Sequence, residues 1–179
     1  IRESKYWYES LKNEYQLLKE IINFFEKIKS VENSIRIVDI DKFAKAYTDD
    51  FCEVDTLYRK IYYYFDNIKD NDSFIYLKNK VENIYVNNFI SELSIKWSDT
   101  IENTPKYDSN RMTMQNKFYN TYIKPFKDKK ERTVVIISDA FRYECAKELC
   151  SKLKIFGKTS EIEYMQGIVK PMRSELTNA

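Results

Sequence analysis

Apolar residues recur along the first 130 positions at three- and four-residue steps, the spacing of one face of a helix. Trp7, Leu11, Tyr15, Leu18, Ile22, Phe25 and Ile28 form one such stripe. They predict a helix from about Glu3 to Ser30, ended by the stretch Val31 to Ser34. The short run Ile35 to Ile40 reads as extended or turn-like, and Asp41 is placed to cap a short helix carrying Phe43, Ala44 and Tyr47. After a polar break at Thr48-Asp49-Asp50, a second long helix is expected from near Asp55, with Leu57, Ile61, Tyr64, Phe65 and Ile68 on one side. Asp70 to Ser73 is a turn and cap cluster. Leu77, Val81, Tyr85, Phe89, Leu93, Trp97 and Ile101 then follow at four-residue intervals, the clearest helix of the chain, and Asn103-Thr104-Pro105 stops it. A further helix, roughly Asn110 to Ile123, carries Met114, Phe118 and Tyr122 ahead of Pro125. Such stripes bury against one another, so core packing explains them better than a ligand groove.

At Thr133 the texture changes. Thr133-Val134-Val135-Ile136-Ile137 is a continuous β-branched run, the pattern of a strand buried on both faces, and it ends in Ser138-Asp139-Ala140. A helix from about Phe141 to Leu153 follows, with Cys145, Ala146, Leu149 and Leu153 inward and Lys147, Glu148 and Lys152 outward. Gly157 stops it, and Thr159 to Met165 reads as a second strand. Strand, helix and strand make a βαβ unit of a mostly parallel sheet. The expected fold class is therefore α+β: a mostly helical region over residues 1–130, an incomplete α/β unit over 131–169, and a divergent polar tail over 170–179. Two strands and one helix cannot cover a strand that is apolar on both faces, so the remaining sheet is expected beyond residue 179.

Composition narrows the function. Lys+Arg number 30 against 28 Asp+Glu, a net charge of +2, which argues against a nucleic-acid or anionic-membrane surface. The one dense basic stretch, Lys127 to Arg132, is broken by Asp128 and Glu131 and reads as a solvated linker. Only two glycines occur where average usage gives roughly a dozen, which favours long helices joined by polar turns. Cys52, Cys145 and Cys150 have no metal spacing, and free thiols in a reducing cytoplasm are the expectation. No apolar run approaches the roughly 20 residues of a membrane span. There is no histidine, which excludes Ser-His-Asp and Cys-His catalysis within this chain.

The candidate chemistry sits at Asp139, at the carboxyl end of the expected strand, where open α/β sheets bind ligands. A carboxylate there suits a divalent metal and equally suits capping of the next helix. Ser138 can assist either role. Arg142 and Glu144 follow in the first helical turn, as surface charges or as catalytic groups. Cys145 and Cys150, five apart, read as packing residues.

The segment Val134 to Ala146, VVIISDAFRYECA, resembles the signature of the PglZ family, a hydrophobic strand running into D-A-[LF]-R-Y-E. Upstream, VDTLYR at Val54–Arg59, VENIYVNNF at Val81–Phe89, Trp97 and QNKFY at Gln115–Tyr119 are similar to the helical region preceding that family's core. The resemblance covers roughly residues 6–168. It implies an alkaline-phosphatase-like domain of a BREX (bacteriophage exclusion) defence protein, cytoplasmic, partnered by other BREX proteins, and binding divalent metal ions such as zinc with Asp139 as a metal ligand. The family continues with a Pro-Ser-x-Thr stretch, whereas here Gly167-Ile168-Val169 is followed by Lys170-Pro171-Met172-Arg173. The reading frame is therefore expected to be truncated or frameshifted near Val169, leaving a fragment that is inert and holds no metal stably. The competing reading is a helical protein-interaction module that docks other defence subunits.

Overall fold

The structure, a computed structural model, describes residues 6–35, 39–104 and 115–155. Its helices are α1 (Lys12–Val31), α2 (Ile40–Ala46), α3 (Cys52–Asp66), α4 (Ile75–Asn83), α5 (Ser91–Glu102), α6 (Lys124–Asp128) and α7 (Tyr143–Ile155). Wider π-helical turns at Tyr47–Phe51 and Ile84–Ile90 carry α2 into α3 and α4 into α5 without a break. A third, at Tyr119–Ile123, leads into α6, with Pro125 in its first turn.

The stripe of α1 is turned from its expected setting. The helix buries Leu17, Ile21, Phe24 and Val31 against α3, while Leu11, Leu18 and Ile22 stay exposed. Both lines are apolar and lie side by side at helical spacing, so the pattern alone does not choose between them; contact with α3 does. The cap of α2 is Asp39 rather than Asp41. Its extended backbone lets the carboxylate accept from the Lys42 N–H at 2.8 Å. The expected break at Thr48-Asp49-Asp50 is helical, because Thr48 bonds back to the Lys45 carbonyl, Asp50 pairs with Lys27, and Phe51 behind them is fully buried.

The four-residue stripe of α4 and α5 explains its own π turn. Residues four apart advance about 400° in an ideal α-helix, so the stripe drifts about 40° per step. A π turn holds more residues per turn and cancels that drift locally. Val81, Tyr85, Phe89 and Leu93, which run through the π segment, are buried, whereas Leu77, Trp97 and Ile101 at the two ends are only partly so. Phe89 meets Phe51 edge-on at 6.2 Å, Phe51 meets Phe43 at 6.4 Å, and Phe43 lies 5.1 Å from Trp97, which joins two continuous stretches of helix in one aromatic core.

The parallel sheet is not present among the described residues. Residues 131–138 form neither strand nor helix, so the α+β expectation is corrected to an all-helical arrangement over the described chain. Ile136 and Ile137 are 87% and 89% exposed, the reverse of a strand buried on both faces. A strand exists only where neighbouring strands take up its backbone donors and acceptors, and no other described segment offers that edge. The second expected strand, Thr159 to Met165, the tail at 170–179 and Met114 lie outside the described residues.

Candidate functional site

The D-A-F-R-Y-E segment divides into two halves with different surroundings. Asp139 and Ala140 form an exposed turn, with Ala140 in the left-handed region at φ 52°. Asp139 does not stand at a strand's carboxyl tip, since no strand forms there, and it does not cap the next helix, which begins only at Tyr143. Ser138 beside it is exposed as well.

Arg142, Tyr143 and Glu144 instead turn toward the helical region. Asp55, at the start of α3, is 1% exposed, and both of its carboxylate oxygens are occupied. The Tyr47 hydroxyl donates to one at 2.6 Å and the Tyr85 hydroxyl to the other at 2.7 Å. Arg142 Nη2 lies 3.5 Å from Asp55 Oδ1 and donates to the Tyr85 hydroxyl at 3.2 Å, while its Nε reaches Glu144 Oε1 at 3.1 Å. Burial and the Asp55 carboxylate hold both phenols well above the usual tyrosine range. Burial alone pulls the Arg142 guanidinium down, but Tyr85, Glu144 and Asp55 outweigh it and the net shift is upward. The Tyr143 ring packs 5.9 Å from that of Tyr47.

The rest of α7 continues this contact. Lys147 Nζ donates to the Thr48 carbonyl at 3.1 Å and sits 3.5 Å from Cys52 Sγ. Glu148 pairs with Arg59 and, at 3.0 Å, with Lys152, and these cations hold its carboxyl below the ordinary value near 4.5. A cleft of about 340 Å³ between the two helices is lined by Cys52, Thr56, Glu144, Lys147 and Ser151. The expected facing of this helix is thus corrected. Glu144, Lys147 and Glu148 meet α3, and Leu149 is exposed. Arg142 and Glu144 are not free surface charges. Cys145 is half-buried, Cys150 is buried, and neither forms a disulfide.

Asp55 was hidden from sequence reasoning because it reads as a helix-start residue. The signal was the clustering of its partners, Tyr47, Tyr85 and Arg142, which lie 8, 30 and 87 positions away and meet only in the fold. Metal chemistry fits the described residues poorly. Zinc takes about four ligands, while no group of three or more Cys, Asp or Glu among these residues is arranged to hold an ion. Asp139 supplies one exposed carboxylate, and no hydrolytic step is assigned to it. No helix among the described residues is long and apolar enough to cross a membrane.

A family model described as the BREX system PglZ alkaline phosphatase-like domain matches residues 118–179. Over 171 residues, 94% of its length, the chain is 41% identical to the alkaline phosphatase-like protein PglZ of Bacillus cereus (strain H3081.97). It is 28% identical over 180 residues, again 94% of its length, to the alkaline phosphatase-like protein BrxZ of Escherichia coli O9:H4 (strain HS). The chain spans about a fifth of the length of these curated relatives, 20% and 21% respectively. No solved structure matches it.

Proposed function

Starting from the chain's membership of the PglZ family of BREX systems, we propose that it is the stretch in which a helical scaffold hands over to a metal-dependent phosphoesterase domain of a phage-defence protein. In this reading the scaffold works with other BREX proteins, and the 179-residue chain by itself hydrolyses nothing. The observation that carries it is the division of the D-A-F-R-Y-E segment. Arg142, Tyr143 and Glu144 are fastened to the helices, and Asp139 is left exposed three residues upstream.

An exposed carboxylate on a fastened turn suits one ligand of a divalent-metal centre whose other donors lie outside the described residues. Two measurements test this. The chain, incubated with zinc and p-nitrophenyl phosphate, is expected to show no turnover above buffer; zinc-stimulated hydrolysis contradicts the reading. In a full-length family protein carrying the same segment, replacing the residue equivalent to Asp139 by Ala is expected to lower bound metal. Unchanged metal content removes Asp139 from the site.

A second reading, docking of other defence subunits by the helices, draws on the exposed apolar line Leu11, Leu18 and Ile22 beside α1's buried face. Co-purification with the other BREX proteins, with and without Leu18→Glu and Ile22→Glu, decides it. Capture that survives both substitutions places the contact elsewhere.

A further inference from the structure

Asp55 is a buried carboxylate, 1% exposed, held between the hydroxyls of Tyr47 and Tyr85. Two phenols satisfy its oxygens, but neutral donors do not neutralise a charge, and an unpaired carboxylate at this depth is strongly unfavourable. The neutralising group is Arg142, contributed from 87 positions away by the D-A-F-R-Y-E segment. The same guanidinium holds Glu144, itself 1% exposed, through Nε. One planar cation therefore spans two buried carboxylates, the first in α3 and the second in α7. A guanidinium fork suits that geometry and an ammonium does not.

The position of this bridge has a mechanical consequence. Only Ala140 and Phe141 separate Asp139 from Arg142, and three residues reach at most about 10 Å when fully extended. Ala140 already occupies a left-handed conformation that is unfavourable for a residue with a Cβ, so the turn is held rather than relaxed. Tyr143 against Tyr47, Lys147 on the Thr48 carbonyl and Glu148 with Arg59 extend the hold along α7. Arg142 has Nε and Nη2 committed to Glu144, Tyr85 and Asp55, while half of its side chain stays exposed.

We propose that Arg142 is a positioning residue: through buried Asp55, the helical region sets the placement of the Asp139 turn, and Glu144 fixes the same guanidinium from α7. The functional meaning of that placement rests on the phosphoesterase reading above, but the tether itself does not. Its test therefore uses neither metal nor hydrolysis.

The experiment compares the 179-residue chain with Asp55→Asn, Arg142→Gln, Arg142→Lys and the Asp55→Asn/Arg142→Gln double variant. Hydrogen exchange of segment 131–155 is followed by mass spectrometry, and the amide resonances of Asp139 and Ala140 by NMR. Each of the Asn and Gln substitutions is expected to speed exchange in α7 about tenfold while leaving α1 protected. The double variant should be no worse than the worse single one, and Arg142→Lys should recover part of the loss. The Asp139 and Ala140 resonances should move in Asp55→Asn, although Asp55 lies in α3, a response that a purely local packing role does not produce. Additive effects, unchanged α7 exchange, or unmoved Asp139 and Ala140 resonances overturn the proposal. Where Asp55→Asn loosens α1 as well, Tyr85→Phe replaces it in the same cycle, since it removes a donor to Asp55 and an acceptor for Arg142 without altering either charge. The phosphoesterase reading can then fail while the tether stands, and the reverse.

Discussion

At the scale of single residues, the non-glycine left-handed conformations are informative. Lys130 follows α6 at φ 58°, and its N–H bonds to the Lys127 carbonyl while that of Glu131 reaches back to Phe126. This is a Schellman ending with lysine where glycine is preferred. Lys130→Gly is accordingly expected to stabilise the end of α6 by up to about 1 kcal/mol. The check is slower exchange of the Lys130 and Glu131 amides, and faster exchange contradicts it. Glu148 carries a second expectation. Its folded-state carboxyl is depressed by Arg59 and then by Lys152, so its contribution is present above the unfolded value and lost as pH falls through the lower folded one. The stability gap between the native chain and Glu148→Gln should hold near pH 6 and close in the acid range below about 4.3. Chemical denaturation at a series of pH values measures it, and a gap that widens toward acid reverses the sign.

At the scale of elements, legibility depended on whether a local pattern had its partner in the described chain. The helices around Leu57, Ile61 and Phe65 and around Val81 to Leu93 form as the periodicity implied, since an amphipathic face states its own geometry. The face of α1 was not legible, because two adjacent apolar lines compete. Nor was the polar contact of α7, where Glu144 and Lys147 rather than Leu149 meet α3. The run Val134 to Ile137 has every sequence mark of a strand and forms none, because β structure is a property of pairs and not of segments. Four exposed β-branched side chains with no strand partner among the described residues are an aggregation hazard. The chain is expected to self-associate with rising concentration, and Ile136→Lys together with Ile137→Glu to suppress it. Light scattering across a dilution series shows this, and equal scattering from both chains counts against it. At the candidate site, the D-A-F-R-Y-E segment was visible from its letters, but the division of labour within it was not. That required Asp55, whose importance exists only in three dimensions.

At the scale of the molecule, the aromatic chain Trp97, Phe43, Phe51 and Phe89 is where separately folded stretches become one body. Phe51 and Phe89 are buried together, and Phe89 lies within the π segment. Truncating Phe51 to Ala removes the middle ring and is expected to cost about 3–5 kcal/mol. That is comparable to much of the roughly 5–15 kcal/mol available to a domain. Urea unfolding followed by circular dichroism gives the value, and a loss under about 1 kcal/mol shows that the rings do not join the helices.

The π turn at Ile84–Ile90 also makes the chain unusually tolerant of losing one residue at that point. Removing a single amino acid there, Asn87 for instance, offers the backbone a route back to ordinary α geometry. The wide turn holds about one residue more than an α turn, so the shorter path leaves the downstream helix close to its present rotation. Leu93 and Trp97 would keep their inward face, so a loss of one codon would be felt as a shortened helix rather than a rotated one.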